Sequence, residues 1–189
     1  YRVGSVTRVR SVAARYADAN TSKQRESRSR LRVAIRFYHR LAETELRKVW
    51  YLATKGMGKS GYNLFLKLNM MIFKPDGKIG DFDRLQLTVG RLQKVNHLVV
   101  RVDEGDVVSV AWEREEDLPS AGKEDKFMVA VLYADRSFSP EFVKTSGETR
   151  GDGKATFRLQ RKRGTAAHLY CFFREKDGKA YSPSQHVRI

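Results

Sequence analysis

The 189-residue chain is long enough for one large domain or two small ones, and 10 Phe, 8 Tyr and 2 Trp within a 41% hydrophobic composition supply a core, which excludes a wholly disordered polypeptide. No apolar run reaches the roughly 18 residues that cross a bilayer as a helix; the longest, from Leu64 to Phe73, is interrupted by Lys67 and Asn69. The net charge of +15 is unevenly placed: residues 1–59 carry 15 Lys and Arg against 4 Asp and Glu, whereas residues 60–189 carry 22 against 18, so a basic N-terminal segment precedes a nearly balanced remainder. A field of that sign attracts polyanions, either nucleic acid or an anionic surface.

Residues 1–16 alternate, with Thr7, Val9 and Ser11 on one side and Val6, Arg8 and Arg10 on the other, a period of two that predicts a β-ribbon with a turn or bulge at Gly4-Ser5. Asn20-Thr21-Ser22 follows, and Thr21 with Gln24 fits a capping box. Leu31, Ile35, Tyr38, Ala42, Leu46, Val49 and Ala53 recur at three and four, predicting one long amphipathic helix that ends at Gly56-Met57-Gly58. Arg25, Arg28, Arg32, Arg36, Arg40 and Arg47 form a second stripe within a sector of about 120°, centred roughly 140° from the apolar one at ~100° per residue. Ser60 is placed to cap a second helix whose core face is Leu64, Phe65, Leu68, Met71 and Ile72, ended by Pro75-Asp76-Gly77; the two helices make a helical hairpin. From Phe82 the period changes to two. Strands are predicted at 84–89, 97–102, 107–113, 127–133, 155–160, 168–174 and 179–189, and Asp177-Gly178 is the strongest hairpin signal. Seven short strands over about 100 residues predict an antiparallel β-sandwich. The expected class is therefore α+β, with a basic ribbon and helical hairpin over residues 1–80 and a sandwich over 81–189.

The strand region resembles a fibronectin type III or immunoglobulin-like sandwich without a disulfide. Val108-Ser109-Val110-Ala111-Trp112 is similar to that fold's second strand with its core Trp, Phe127 to Tyr133 to its third, and His168 to Phe173 with Asp177 to Ser184 to its last hairpin. The fold by itself implies no activity. The whole chain also resembles a functionally uncharacterised family of small basic proteins common in gut-type anaerobic bacteria, through Arg10-Ser11, Asn20 to Gln24, Ser60-Gly61-Tyr62-Asn63, Tyr133, Thr145-Ser146-Gly147 and Arg150. That resemblance implies the same order of ribbon, Arg-rich helix, second helix and immunoglobulin-like half. The family's Gly-rich opening would precede Tyr1.

Catalytic signals are weak. Ala53-Thr54-Lys55-Gly56-Met57-Gly58-Lys59-Ser60 fits a relaxed phosphate-binding loop, but it follows a helical period instead of a strand, and no parallel βαβ pattern accompanies it. It reads better as a helix–helix turn. His39, His97, His168 and His186 lack ligand spacing and read as surface or edge-strand residues, so no metal or cofactor is expected. The acidic run from Glu113 to Asp117 reads as a solvated loop. No Ser-His-Asp or Cys-His spacing is present, and an enzyme is not expected. The single Cys171 excludes an intrachain disulfide, reads as a buried thiol and fits a reducing, cytoplasmic setting; because the chain starts at Tyr1 and not Met, residues are expected to precede it, and export stays open.

The Arg stripe carries the functional expectation. Arg28/Arg32, Arg32/Arg36 and Arg36/Arg40 are like-charged pairs one turn apart, each costing about 0.2–0.5 kcal/mol, and a mixed-sign face would serve solubility at less cost. Planar guanidinium forks suit phosphate. A non-catalytic polyanion-binding protein is expected, with nucleic acid as the first partner and an acidic protein or the chain's own 113–117 loop as others. The binding residues are Arg8, Arg10, Arg25, Arg28, Arg32, Arg36, Arg40 and Arg47, with a second basic patch at Arg158, Arg161, Lys162 and Arg163. The alternative is a structural or assembly, cell-surface or secreted module that makes protein–protein contacts in a bacterial complex or phage-like particle. Oligomeric state is left open.

Overall fold

Thr21 starts the first helix as its local chemistry dictates. In the computed structural model, which describes residues 2–3, 6–9, 11, 18–114 and 118–189, α1 (Ser22–Ala42) opens with the Thr21 hydroxyl accepting the Gln24 N–H at 3.3 Å while Gln24 Oε1 accepts the Thr21 N–H at 2.9 Å. The long helix predicted to run on to the glycines is broken at Glu43–Glu45. There the Thr44 hydroxyl donates to the Leu41 carbonyl (2.7 Å) and accepts the Leu46 N–H (3.2 Å), so α2 (Leu46–Thr54) starts afresh.

The break resets the helical phase. The core face of α1 is Val33, Ala34, Phe37 and Leu41, while the predicted Leu31, Ile35, Tyr38 and Ala42 are only half-buried. The predicted stripe is the phase of α2, which Leu46 and Val49 do set, carried back across the interruption; one residue of error turns the face by about 100°.

α3 (Gly61–Asn69) is capped as expected, the Ser60 hydroxyl accepting the Asn63 N–H at 3.2 Å. Gly61 is needed here for close approach: a Cβ would lie 2.8 Å from the Trp50 carbonyl carbon and oxygen.

Arg2–Val3 (β1) and Val6–Thr7 (β2) pair antiparallel in the predicted ribbon; Gly4, Ser5 and Arg10, together with residues 12–17, lie outside the described residues. Among the described residues seven further strands follow: β3 (Val99–Val102), β4 (Val107–Ala111), β5 (Lys126–Tyr133), β6 (Glu141–Phe142), β7 (Lys154–Arg158), β8 (Ala167–Arg174) and β9 (Gln185–Arg188). They form two antiparallel sheets of order β3-β4-β7 and β6-β5-β8-β9. This is the immunoglobulin- and fibronectin type III-like sandwich that the sequence resemblance implies. Trp112, just past β4, is buried and stacks on Phe127 at 4.3 Å.

Two strand expectations are corrected. Residues 84–89 form no strand, because other groups take their backbone: Asn69 pairs with both the N–H and the carbonyl of Gln86 (2.8 and 3.2 Å), Ser184 Oγ accepts the Leu87 N–H, and Trp50 Nε1 donates to the Leu87 carbonyl (3.2 Å). Of residues 179–189, only 185–188 pair continuously, and Pro183 lacks the N–H a ladder needs. The short β6 has no sequence counterpart in the expectation.

β5 and β8 are apolar on both faces. Phe127, Val129, Val131, Leu169, Cys171 and Phe173 meet Val108, Val110, Ala155 and Phe157 inside the sandwich. Ala130, Leu132, Tyr170 and Phe172 point the other way and share a second core with Phe37, Leu41, Leu46, Trp50, Phe65 and Phe73 of the helical region. The helices are thus a third layer on the four-stranded sheet.

Candidate nucleic-acid interface

On α1 the arginines emerge opposite this core. Arg25, Arg28, Arg32, Arg36 and Arg40 are all exposed, as is Arg47 on α2. Their local contacts hold several side chains along the helix. Arg25 donates to the Asn20 carbonyl (2.7 Å), Arg28 pairs with Asp18 (2.7 Å) and Arg40 with Glu43 (3.2 Å). Arg36 reaches the Gly77 carbonyl (3.3 Å) and lies 4.6 Å from the Phe138 ring centroid. The hydrogen bond from Arg28 holds the Asp18 carboxyl below its usual range. These are solvent-exposed contacts, each worth about 0–1 kcal/mol, and a guanidinium presents five N–H donors in a planar fork. Arg30 belongs elsewhere: its Nε donates to the Phe73 carbonyl (3.1 Å) and its Nη2 meets Glu26 (2.9 Å), tying α1 to the end of the hairpin.

The remaining predicted residues are dispersed. Arg8 is exposed, and Arg10 lies outside the described residues. Arg47 is separated from the stripe by the helix break and stands beside Tyr38, whose phenol burial pushes up and the Arg47 charge draws down. In the second patch Lys162 and Arg163 are exposed and Arg158 donates to the Gly105 carbonyl (3.1 Å). Arg161 is half-buried, with Nε and Nη2 both on Asp106 Oδ1 (2.9 and 2.7 Å) and Nη1 on the Thr165 carbonyl (2.9 Å), so it clamps two loops. Glu113 of the acidic run meets His97 at 3.2 Å; residues 115–117 lie outside the described residues.

The phosphate-loop-like segment is a turn. Ala53 and Thr54 close α2, Gly56 and Gly58 take φ of +82° and +62°, and Ser60 caps α3.

Two histidines read as separate surface residues meet instead. His168 on β8 and His186 on β9 are largely buried, with His168 Nδ1 2.9 Å from His186 Nε2, while His186 Nδ1 contacts exposed Asp83. The chemistry sets the tautomers: His186 gives its Nδ1–H to the carboxylate and accepts the His168 Nδ1–H. Phe82 stacks on His168 at 3.7 Å, and Tyr170 donates to the Phe82 carbonyl (2.9 Å). Burial first, then the His186 and Arg188 charges, push His168 down to about 4; burial also lowers His186, against the pull of Asp83. The hairpin at Asp177-Gly178 is the signal that brings the two rings together, but Asp83 carries none.

Both folded values lie below that of a free histidine. The unfolded chain therefore takes up protons that the fold refuses as pH drops below about 6.5, and stability falls from there toward pH 4. The melting temperature is expected to drop between pH 7.5 and 4.5, with His168→Asn removing roughly 3–8 °C of that drop, as read by circular dichroism. An unchanged pH slope would show that the pair does not couple to folding. Burial alone pushes the Cys171 thiol up to about 12, consistent with the buried thiol expected. Among the described residues no cluster of three or more His, Cys, Asp or Glu is placed to hold a metal ion, and no helix is long and apolar enough to cross a membrane.

Sheet order and layering define the class: an α+β protein with a basic helical region packed on an immunoglobulin-like sandwich. No protein-family model and no curated protein matches the chain. Among solved structures it is similar to the fibronectin type III domain of human contactin 1, at 15% identity and a TM-score of 0.37 over 53% of this chain and 77% of that one. It is also similar to the spore cortex lytic enzyme SleM of Clostridium perfringens, at 11% identity and a TM-score of 0.35 over 54% of this chain and 29% of that one.

Proposed function

We propose that the protein is a non-catalytic binder of nucleic acid, engaging the phosphate backbone through the Arg face of α1. The observation that carries this reading is the exposure of Arg25, Arg28, Arg32, Arg36 and Arg40 on the side of the helix opposite Val33, Ala34, Phe37 and Leu41. Residues 1–59 concentrate the charge, with 15 Lys and Arg against 4 Asp and Glu, which favours a polyanion over a single small anion. The division at residue 80 is then one of role: the first part binds and the sandwich supports it.

The test is fluorescence anisotropy with labelled oligonucleotides between about 50 and 300 mM salt, where each phosphate contact contributes about −0.9 to the log–log slope. Replacing Arg28, Arg32 and Arg36 together by Gln is expected to flatten that slope by roughly 3 and leave the melting temperature nearly unchanged, since all three are exposed. Unaltered binding by the triple variant would remove the Arg face from the mechanism.

A second reading, an assembly module, draws support from exposed Met57, Leu68 and Met71 on the helical region, at 64%, 37% and 74% accessibility. A salt-insensitive oligomer in light scattering, with no affinity for oligonucleotides, would select it.

A further inference from the structure

We propose that the cleft bounded by α1, α2, the 55–60 turn, the start of α3 and Val6 of β2 seats an unstacked base, so that the preferred ligand is single-stranded nucleic acid; this rests on the nucleic-acid reading above. The cleft has a volume of about 1050 Å³, and its charged lining is entirely cationic: Arg47, Lys55 and Lys59. Its aromatic lining is Tyr38, Tyr51 and Tyr62. Arginine and lysine beside tyrosine is the pairing that binds single strands, in which cations follow the backbone and ring faces take the bases.

The three tyrosines hold different positions. Tyr38 is half-buried and anchored, with its ring 5.1 Å from that of Phe65, and Tyr62 meets it edge-on at 5.3 Å and 67°, so these two form a fixed wall. Tyr51 is 64% exposed, an aromatic surface the core does not use. The turn beside it is open: nothing lies within 4 Å of a Cβ built at Gly56 or Gly58, both at positive φ, so a phosphate could approach the backbone closely there. The segment from Ala53 to Ser60 thus has a use that requires no nucleotide hydrolysis. A duplex stacks both faces of its bases internally and offers none to Tyr51, whereas a single strand does.

The experiment compares the whole chain's affinity, by anisotropy at about 100 mM salt, for a single-stranded oligodeoxynucleotide, an abasic oligomer of equal length and a duplex. The single strand is expected to bind tighter than either. Tyr51→Ala should weaken it roughly 5- to 150-fold, the equivalent of about 1–3 kcal/mol per stacked base, without affecting the abasic oligomer. Tyr51→Phe should restore it. If Tyr51→Ala changes nothing while the triple Arg variant weakens binding, the cleft is overturned and the Arg-face reading stands. Equal affinity for the abasic strand, or preference for duplex, also overturns the cleft. If no oligonucleotide binds even at about 50 mM salt, both fall, and an acidic protein becomes the ligand to seek.

Discussion

Arg150→Ala is expected to lower the stability of the fold by about 3–5 kcal/mol, a large share of the ~5–15 kcal/mol that holds a typical domain together. Arg150 is 2% exposed and has no route to solvent for its charge. Its Nε faces Asp125 at 3.3 Å, its Nη2 donates to the Gln93 carbonyl at 2.9 Å, and its guanidinium lies 3.8 Å from the Phe173 ring centroid. The backbone is committed as well: Arg150 N–H donates to the Asp125 carbonyl (2.8 Å), and the Arg150 carbonyl accepts from Trp112 Nε1 (2.9 Å). One residue thereby ties the 91–96 segment, the 118–125 loop and the Trp112 end of β4 to the base of β8. Truncation takes the Arg150 cation away from a carboxylate that is only 5% exposed, and the loss of that charge pairing, more than the lost packing, sets the cost. The melting temperature should fall by roughly 6–20 °C in a thermal scan. Replacing Arg150 and Asp125 together by Leu removes both charges and should recover part of the loss. A double variant no better than Arg150→Ala would show that the hydrogen bonds to backbone, and not the charge pair, carry the effect.

What could be read in advance follows the range of the interaction. The Thr21–Gln24 capping box and the Ser60 cap are three residues long and were legible as such. The Asp177-Gly178 hairpin, with Gly178 at φ +70°, was equally local, and the apolar strand segments ending at Trp112 and starting at Phe127 located the sandwich core. The Thr44 break was not legible, because Glu43-Thr44-Glu45 is compatible with a continuing helix, and only side-chain hydrogen bonds to Leu41 and Leu46 decide otherwise. That one break misplaced the α1 core face and hid the placement of Arg47 beside Tyr38. Residues 84–89 alternate like a strand, yet their partners are Asn69, Trp50 and Ser184, which no pattern within the segment announces. Arg150 sits in Glu148-Thr149-Arg150-Gly151-Asp152, a run that reads as solvated loop, so its burial is a purely tertiary fact. The exposed Arg face of α1 was legible from spacing alone, since Arg25, Arg28, Arg32, Arg36 and Arg40 at helical intervals need only the helix to align them.

A fragment of residues 81–189 should not behave as an independent domain. A two-layer sandwich whose outer faces meet water alternates apolar and polar residues, as β7 does with its buried Ala155 and Phe157 between exposed Lys154, Thr156 and Arg158. The run from Phe127 to Tyr133 does not alternate, and Ala130, Leu132, Tyr170 and Phe172, on the side of the sheet away from the sandwich interior, are fully buried. Their cover is Phe37, Leu41, Leu46, Trp50 and Phe65, each at 0% exposure, and burial of each such side chain contributes about 1.5–3 kcal/mol. Removing residues 1–80 exposes that face as one contiguous apolar surface. It also removes Asn69 and Trp50, which satisfy the backbone of Gln86 and Leu87. The expected fragment binds a hydrophobic dye, aggregates at micromolar concentration and lacks a cooperative melt, whereas the full chain unfolds in one transition. A soluble monomeric fragment melting within about 5 °C of the full chain would show instead that the sandwich is self-sufficient. In the expected case the basic region and the sandwich fold as one unit. The Arg face then inherits its rigidity from the β5–β8 sheet, and a polyanion bound there stabilises the whole protein by RT ln(1 + [L]/Kd), so oligonucleotide should raise the single melting temperature.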